Sequence, residues 1–260
     1  MKMAKNLIEI ENDVFSCTQK DDFALVTLNQ SVNEILTNNE IKDAFLAIFS
    51  TIDDSQKING VVIANSSKYT GEINLQSLTA HISEVLKYER RDIAIQRFRN
   101  AMAQLVSLFI NFKKPTIFAM NGDIGQISLG LSLACDFRFA TSNAIFHLHT
   151  LQLGLPAAGV LAYYFVQYIG LPRSIDLLLT KTSLSAPEAR DLGLLTDVTT
   201  DEELIDKCIA KLNDISEYPS YGILAMKRLL RPDANEINKL IDRDFDEFKL
   251  NLNVIGKSTA

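Results

Sequence analysis

Residues 114–136 limit the fold of this chain more than any other part of its sequence. A β-rich run from Pro115 to Met120 passes through an Asn-Gly turn into an apolar segment that ends in Ala-Cys-Asp. A short buried strand, a tight turn and an apolar helix make up half of a parallel β–α–β unit. The segment therefore predicts an α/β protein built on a parallel sheet.

The same alternation recurs on both sides of this segment. Residues 38–53 carry apolar side chains at helical spacing and lead into the strand Gly60–Ala64, and an amphipathic helix over 92–112 leads into the strand at 115–120. A helix through 129–135 then leads into a strand over 136–140. Strands that alternate with helices imply parallel pairing and right-handed crossovers. No fixed sequence period accompanies this repeat, so it is a structural one.

The two ends of the chain carry different patterns. Residues 7–18 and 23–28 alternate as strands, with the polar residues 19–22 as the hairpin turn. From residue 156 the pattern is almost entirely helical, with helices predicted over 157–169, 174–180, 200–212, 219–230 and 233–253, and with a capping box at Ser185-Ala-Pro-Glu188 and a left-handed C-cap at Gly193. We expect an α/β core over 1–198 and a C-terminal helical region over 199–260, whose apolar stripes need a surface to cover.

Composition excludes several classes of function. The chain has 32 acidic and 26 basic residues, so no broad basic field is available for a nucleic acid or an anionic membrane. Its 3 cysteines are far apart, which favours reduced thiols in a cytoplasm, and Cys135 is expected to be a core residue. The first residues are acidic where a signal peptide would be apolar, and no run reaches the roughly 18 apolar residues of a membrane span. The sequence thus predicts a cytoplasmic protein with neither nucleic-acid nor membrane partners.

Three ordered segments carry a resemblance to a known family. They are GVVIANSSKYTGEINL at 60–75, the KPTIFAMNG to ACD segment at 114–136, and AIFHLHTLQLGLPAAG at 144–159, followed by LLLT at 177–180 and SAPEARDLGL at 185–194. Together they resemble the crotonase (enoyl-CoA hydratase/isomerase) superfamily. The resemblance implies a crotonase-like ββα superhelix core with a C-terminal helical trimerisation region, assembled as a homotrimer or hexamer.

The same resemblance implies a chemistry. Crotonases hold the carbonyl oxygen of an acyl-CoA thioester between two backbone N–H groups, which stabilise the enolate that forms when a proton is lost or added. Aligned on the family motifs, these two donors fall on Ile73 and Ile127. Ile127 lies at the start of a predicted helix, where free N–H groups and the helix dipole favour an oxyanion.

This chain departs from the family pattern at its most reactive positions. Gln126-Ile127-Ser128 stands where the family usually has three glycines, so Ile127 either forms a narrowed oxyanion hole or only packs in the core. The two glutamates that activate water in the hydratases fall on Gly130 and Thr150. Neither residue is a general base at neutral pH, so two-glutamate hydration is not expected.

Other polar residues could replace the glutamates. His149 and Thr150 are weak catalytic candidates, although strand alternation places His147 and His149 on the opposite face from Thr150 and favours a structural or surface role. Asp123 is expected to stabilise a turn or cap the following helix. Outside this region, His81, Glu72 and Tyr69 are expected to be a surface, a solvated and a core residue respectively.

Lys68, Lys227 and Arg231 are weak candidates for binding CoA, with surface charge as the alternative. No spacing of His, Cys and carboxylates predicts a metal site, and no Walker or dinucleotide glycine pattern is present. We expect no permanently bound cofactor, because coenzyme A enters as part of the substrate.

Two hypotheses follow. The first is an acyl-CoA-binding enzyme of the lyase or isomerase class in fatty acid metabolism, which stabilises a thioester enolate as an isomerase, decarboxylase or hydrolase rather than as a standard hydratase. The second is a catalytically inactive crotonase-like subunit that binds a ligand or serves in assembly. An open oxyanion hole with a titratable side chain beside it would favour the first.

Overall fold

The computed structural model describes residues 9–66 and 91–258. Its main sheet begins with a meander of the strands β1 (Ile10–Glu11), β2 (Phe15–Lys20) and β3 (Phe23–Leu28), which pair antiparallel. Asp21 occupies the turn between β2 and β3 with a left-handed φ of 54°. The hairpin predicted from the alternating pattern is confirmed.

The rest of the main sheet is parallel. Its strands are β4 (Gly60–Asn65), β5 (Thr116–Met120), β7 (Phe137–Thr141) and β10 (Asp197–Thr199), and within the described residues the order across the sheet is β1-β2-β3-β4-β5-β7-β10. β4 is buried along almost its whole length, which is typical of a strand with both faces covered. The predicted α/β class with a parallel sheet is confirmed.

A smaller sheet forms next to the carboxyl end of β5. It consists of β6 (Asp123–Ile124), β8 (Ile145–His147) and β9 (Ser183–Ser185), with β8 in the centre. β6 pairs parallel and β9 antiparallel with β8. This sheet connects the turn after β5 to the segment that precedes residue 150.

Helices connect and cover these strands. In chain order they are α1 (Val32–Thr37), α2 (Asn39–Asp54), α3 (Arg91–Asn111), α4 (Gln126–Leu133), a 3-10 helix (His149–Leu153), α5 (Leu161–Ile169), α6 (Leu171–Thr180), α7 (Ala186–Asp191), α8 (Leu204–Ser216), α9 (Ser220–Leu230) and α10 (Ala234–Ser258). The predicted capping box of α7 is present, and Gly193 takes its left-handed φ of 79° just after that helix. The pKa of Glu188 is lowered to about 2, chiefly because its carboxylate accepts the Ser185 backbone N–H.

The two faces of the main sheet bury separate cores. One face packs α1 to α4 around an aromatic cluster in which the ring of Phe45 contacts those of Phe15 and Phe49. The other face packs α8 against alternate residues of β4, β5 and β7 through Cys208, Leu212 and their neighbours. Alternation along a strand explains why Ile63 faces the first core and Val62 the second.

Several element bounds differ from the sequence prediction. The strand predicted over 7–18 is interrupted at Asn12, whose Oδ1 accepts the N–H groups of Val14 and Phe15 at 2.9 Å. The helix predicted from residue 157 begins only at Leu161, because Gly159 and Val160 adopt left-handed φ values of 76° and 61°. A side chain held by local hydrogen bonds and a left-handed turn both override the hydrophobic pattern.

The boundary predicted at residue 198 stays a prediction. α8 lies beyond it, yet it packs directly on the sheet of the α/β part. Across the two described ranges, no helix has the combined length and apolarity that crossing a bilayer requires.

Candidate active site

A pair of asparagines fixes the carboxyl ends of the central strands. Asn65 at the end of β4 accepts the Asn121 backbone N–H at 2.8 Å and donates its own amide to the Asn121 carbonyl at 2.6 Å. Thr141 at the end of β7 donates to the Asn121 side chain at 2.9 Å. Three neighbouring strand ends are therefore held together where the chain leaves for the site, in the position at which open α/β sheets bind ligands.

The turn after β5 delivers α4 to this edge. Gly122 has a left-handed φ of 74°, and the N-cap of α4 is Gly125, which has no side chain with which to cap the first turn. The first backbone bond of the helix runs from the Leu129 N–H to the Gly125 carbonyl, so Ile127 lies in the first turn, where an N–H has no acceptor within the helix. The N-terminus of α4 is therefore a suitable place for an oxyanion.

The Ile127 side chain packs against the main core and is partly buried. Core packing by the side chain is compatible with ligand binding by the N–H, because the two groups leave the backbone in different directions. The other proposed donor, Ile73, and the CoA candidate Lys68 lie outside the described residues, as do Tyr69, Glu72 and His81. Their roles stay predictions.

Gly130 lies where a family hydratase would place its first glutamate. A Cβ built on Gly130 would be 3.0 Å from the carbonyl carbon of Gly159 and closer still to its oxygen. Gly159 in turn approaches Ile127, because a Cβ on Gly159 would lie 3.3 Å from the Ile127 Cα. The turn before α5 thus occupies the space into which a side chain at position 130 would extend.

The second glutamate position, Thr150, is engaged by a side chain from α4. The Thr150 hydroxyl lies 2.9 Å from Gln126 Oε1 and 3.2 Å from the Pro156 carbonyl, and it can donate to either. Gln126 Oε1 also accepts the Ala158 N–H at 3.3 Å, and the Gln126 residue is only 7% exposed. Gln126 is therefore a buried crosslink between α4 and the segment 150–158.

Two histidines and an aspartate lie beside this crosslink. His147 Nε2 and Asp123 Oδ1 are 2.9 Å apart, and the rings of His147 and His149 are 5.2 Å apart. Asp123 therefore pairs with a histidine, and the prediction that it caps α4 is wrong. Strand alternation does not extend to Thr150, because β8 ends at His147 and the chain continues as a 3-10 helix.

A carboxylate from the C-terminal helix holds the turn that covers Gly130. Asp244 Oδ2 accepts the Val160 N–H at 2.8 Å. Burial raises the pKa of Asp244 from 3.8 to about 6, although the Val160 bond and the charge of Arg243 act in the opposite direction. α10 therefore supports the Gly159-Val160 turn through a carboxylate that the sequence analysis did not single out.

The CoA candidates Lys227 and Arg231 are engaged within the chain. Lys227 Nζ lies 2.8 Å from Asp136 Oδ2 and also donates to the Lys114 carbonyl, while Arg231 Nη2 lies 2.6 Å from Asp136 Oδ1. Their shared partner Asp136 follows the end of α4 that is opposite Ile127. The alternative that they are surface charges is wrong, since their side chains are 8% and 14% exposed. Their assignment to CoA stays a prediction that these contacts do not favour.

Sequence reasoning missed Gln126 as a crosslink, Gly159 as the neighbour of Gly130, and Asp244. The signal for the first was available, because a glutamine replaces a glycine at the start of the helix. Within the described ranges, no group of three or more His, Cys, Asp or Glu side chains could hold a metal ion. The three cysteines Cys17, Cys135 and Cys208 are buried, and burial raises the pKa of each thiol to about 12.

Solved structures share this architecture. An enoyl-CoA hydratase from Bacillus halodurans aligns with a TM-score of 0.79 at 20% identity, over 94% of this chain and 98% of that one. An enoyl-CoA hydratase/isomerase from Pseudoalteromonas atlantica aligns with a TM-score of 0.70 at 20% identity, over 92% and 91%. At this identity the likeness defines the class of fold, which is that of the crotonases.

Sequence comparison defines the family. The family model for enoyl-CoA hydratase/isomerase matches residues 18–249, and the chain therefore belongs to that family. The protein named "Probable enoyl-CoA hydratase echA12" of Mycobacterium tuberculosis is 32% identical over 135 residues, which are 52% of this chain and 47% of that protein. Human enoyl-CoA delta isomerase 2 is 22% identical over 219 residues, 84% of this chain and 54% of that protein. The chain thus spans about half the length of these curated relatives.

Proposed function

We propose that this chain binds an acyl-CoA thioester at the N-terminus of α4 and does not hydrate it by the two-glutamate mechanism. The Ile127 N–H donates a hydrogen bond to the thioester oxygen, together with the Ile73 N–H from the segment after β4. Coenzyme A enters as part of the ligand. Family membership and the uncapped first turn of α4 support the binding step.

The contact between Gly130 and Gly159 is the observation that argues against two-glutamate hydration. A general acid or base at position 130 would need a side chain, and the Gly159 carbonyl stands where its first atom would lie. The Thr150 hydroxyl, at the other position, donates to the amide oxygen of Gln126 or to the Pro156 carbonyl, and neither of these acceptors is a general base. Neither position can supply the pair of carboxylates by which the family's hydratases activate water.

Chemistry that passes through an oxyanion and needs no pair of glutamates fits this site better. Double-bond isomerisation, decarboxylation and thioester hydrolysis each depend on the oxyanion donors, and the first needs one acid–base group. His149 and the His147–Asp123 pair are the titratable groups in the described part of the segment beside the crosslink. We infer an isomerase, decarboxylase or hydrolase as the first candidate function.

A catalytically inactive ligand-binding or assembly subunit is the second candidate. The observation that favours it is the Gln126 crosslink, in which the Gln126 side chain is hydrogen-bonded to both Thr150 and Ala158. A side chain bonded on both sides is held in place by the fold and costs free energy to displace. A bound thioester in such a site would be recognised without being converted.

Binding is tested by comparing butyryl-CoA with its thioether analogue S-butyl-CoA, which lacks the carbonyl oxygen. We expect butyryl-CoA to bind at least 10-fold more tightly in isothermal titration calorimetry. The substitution Ile127→Pro removes the N–H in the first turn, where proline is tolerated, and should abolish this difference. Ile127→Ala keeps the N–H and should preserve it. Equal affinity of the two ligands for the unaltered chain would refute the oxyanion donor.

Enolate formation is tested in deuterium oxide without any assumption about the product. An enzyme that stabilises the enolate exchanges the C2 hydrogens of butyryl-CoA for deuterium, and a hydrolase releases the free thiol of CoA. Either signal above that of the Ile127→Pro variant supports the first candidate. Tight binding with neither signal supports the second. Hydration of crotonyl-CoA at a rate typical of enzymes, about 1 per second or faster, would contradict the proposal.

A further inference from the structure

A cavity of about 790 Å³ lies at the opposite end of α4 from Ile127. Its walls come from the C-terminal end of α4, from α5 and from α9, and they are mostly apolar, with the tyrosines 163, 164, 168 and 218 around it. This volume falls within the range of small-molecule sites. We call it the tyrosine cavity.

One polar group in its wall has no partner. Tyr164 is only 6% exposed, and its hydroxyl is the buried side-chain polar atom that finds no hydrogen bond within the described residues. Burial raises the pKa of Tyr164, while the charge of Arg231 lowers it, so the hydroxyl lies within electrostatic range of that cation. Buried hydroxyls without a partner are rare in folded proteins, and a missing ligand is one of their causes.

The charges around the cavity are unbalanced. Lys227 and Arg231 contribute two positive charges against the single carboxylate of Asp136, and all three residues line the cavity. Arg138 adds a further cation behind the wall, 4.8 Å from the centre of the Tyr168 ring. Burial and, to a smaller extent, the charge of Glu236 raise the pKa of Tyr163, so one acid accompanies these cations. The charged side chains named here therefore give the surroundings of the cavity a net positive charge.

The Arg231 guanidinium has more N–H donors than its acceptors in the described residues use. Its Nη1 donates to the carbonyls of Phe109 and Ile110, and its Nη2 to Asp136. A guanidinium carries more N–H groups than these three acceptors use. An unpaired tyrosine hydroxyl and spare guanidinium donors in one apolar cavity form a recognition site for a hydrogen-bond acceptor that carries negative charge.

We propose that the tyrosine cavity binds an amphipathic organic anion, a carboxylate on an apolar body. The carboxylate accepts hydrogen bonds from the Tyr164 hydroxyl and the Arg231 guanidinium, and the apolar body lies among the side chains of α5 and α9. The site is independent of the thioester site proposed above, because the two lie at opposite ends of α4. No covalent step is involved.

Three probes with the same eight-carbon body test the headgroup. Octanoate, octanol and octylamine are titrated into the full chain and followed by calorimetry and by chemical-shift changes. We expect octanoate to bind at least 10-fold more tightly than octanol and octylamine not to bind. Equal affinity for all three probes would show that only the apolar body is recognised. No binding of octanoate would show that the cavity does not take a carboxylate of this kind. Either result overturns the proposal.

Two substitutions test the location. Gly222 lines the cavity on α9 and a Cβ there would meet nothing within 4 Å, so Gly222→Phe is designed to fill the cavity and Gly222→Ala is its matched control. We expect Gly222→Phe to weaken octanoate at least 10-fold with an unchanged or higher Tm, and Gly222→Ala to bind as before. Tyr164→Phe should also weaken octanoate about 10-fold and leave octanol unchanged. Octanoate binding that survives both Gly222→Phe and Tyr164→Phe would refute the site.

Butyryl-CoA separates this proposal from the previous one. Gly222→Phe should leave butyryl-CoA binding unchanged, and Ile127→Pro should leave octanoate binding unchanged. Loss of both ligands in either variant would mean that one site serves both, which contradicts two independent sites.

Discussion

Gly130 restricts the chemistry of this chain more than any other residue in the described site. Without a side chain it supplies no acid or base, and it also lets the Gly159 carbonyl approach α4 closely. Gly159 and Val160 adopt left-handed φ values, and the Asp244 carboxylate holds the Val160 N–H. The packing of these three segments therefore leaves no room for a glutamate at position 130. A glutamate there would require the segments to move.

A pair of helical glycines gives the first test at this scale. Gly130→Ala should destabilise the chain by about 2–3 kcal/mol, because the added Cβ meets backbone atoms that cannot rotate away. Gly222→Ala should instead stabilise it by about 0.5–1 kcal/mol, since its Cβ meets nothing and alanine favours the helix. Urea denaturation measures both. A neutral Gly130→Ala would show that the turn at Gly159 yields easily.

Asp244 gives a prediction about pH. The pKa of Asp244 is raised from 3.8 to about 6, so the folded chain binds the carboxyl proton more tightly than the unfolded chain does. The free energy of unfolding therefore falls as pH rises from 3.8 through about 6. Asp244→Asn keeps an acceptor for Val160 and removes the buried charge. We expect it to stabilise the chain by about 1–2 kcal/mol at pH 7 and to have little effect near pH 4, because two pKa units correspond to about 2.7 kcal/mol and the half-buried carboxylate keeps some water.

Denaturation of the chain and of Asp244→Asn at several pH values measures this difference. The attraction between Arg243 and the Asp244 carboxylate is lost in the variant, and it is already included in the raised pKa from which the difference is predicted. A stability difference that does not change between pH 4 and pH 7 would contradict the assigned pKa.

At the scale of elements, α9 is attached to the core by charge rather than by apolar packing alone. Asp136, just before β7, accepts from Lys227 and Arg231 and also from the backbone and hydroxyl of Thr116. Within a largely buried network, removing one partner leaves the others without compensation. The position of α9, and with it one wall of the tyrosine cavity, depends on this carboxylate.

Asp136→Asn should therefore destabilise the chain by about 3–5 kcal/mol. The matched control is Asp206→Asn, which removes an ion pair to Lys20 whose two side chains are 44% and 76% exposed. That change should cost less than about 1 kcal/mol. Thermal and urea denaturation check both, and equal costs would show that the network around Asp136 is not tightly coupled.

The sequence predicted most elements because their signals are local. Asn38 caps α2, Ser185 and Glu188 form the capping box of α7, and the buried strand at residues 60–64 appears with one added residue. Predictions were wrong where a turn interrupts an apolar pattern, as at Asn12 and at Gly159-Val160. Side-chain hydrogen bonds and positive φ values are not encoded in hydrophobic periodicity.

At the scale of the whole molecule, α6 and α9 leave apolar side chains uncovered. Leu171, Ile175 and Leu179 are 56%, 49% and 63% exposed and recur every four residues of α6, and Leu229 of α9, which does not line the tyrosine cavity, is 80% exposed. Contiguous exposed apolar surface marks an interface. We therefore expect the trimer or hexamer that the family resemblance implies.

Light scattering after size exclusion should give three or six times the mass of one chain. The double substitution Ile175→Glu with Leu179→Glu should lower this mass, because it places charges in the interface. Arg173→Glu changes the charge of the same helix by the same amount at an exposed position on another face, and it should not lower the mass. A monomeric chain, or an assembly that the double substitution leaves intact, would contradict this interface.

The sequence by itself determined the α/β class, the parallel strands, the family and the absence of glutamates at positions 130 and 150. These follow from periodicity, caps and ordered motifs, which act over a few neighbouring residues. Only the tertiary structure decided what occupies the space left by those glutamates and where the tail cations lie. The Val160–Asp244 and Asp136–Arg231 bonds join residues 84 and 95 positions apart, and no local pattern specifies a contact over such a separation. The segment 114–136 therefore identifies the fold, while the packing of other segments against it limits which reactions the site can catalyse.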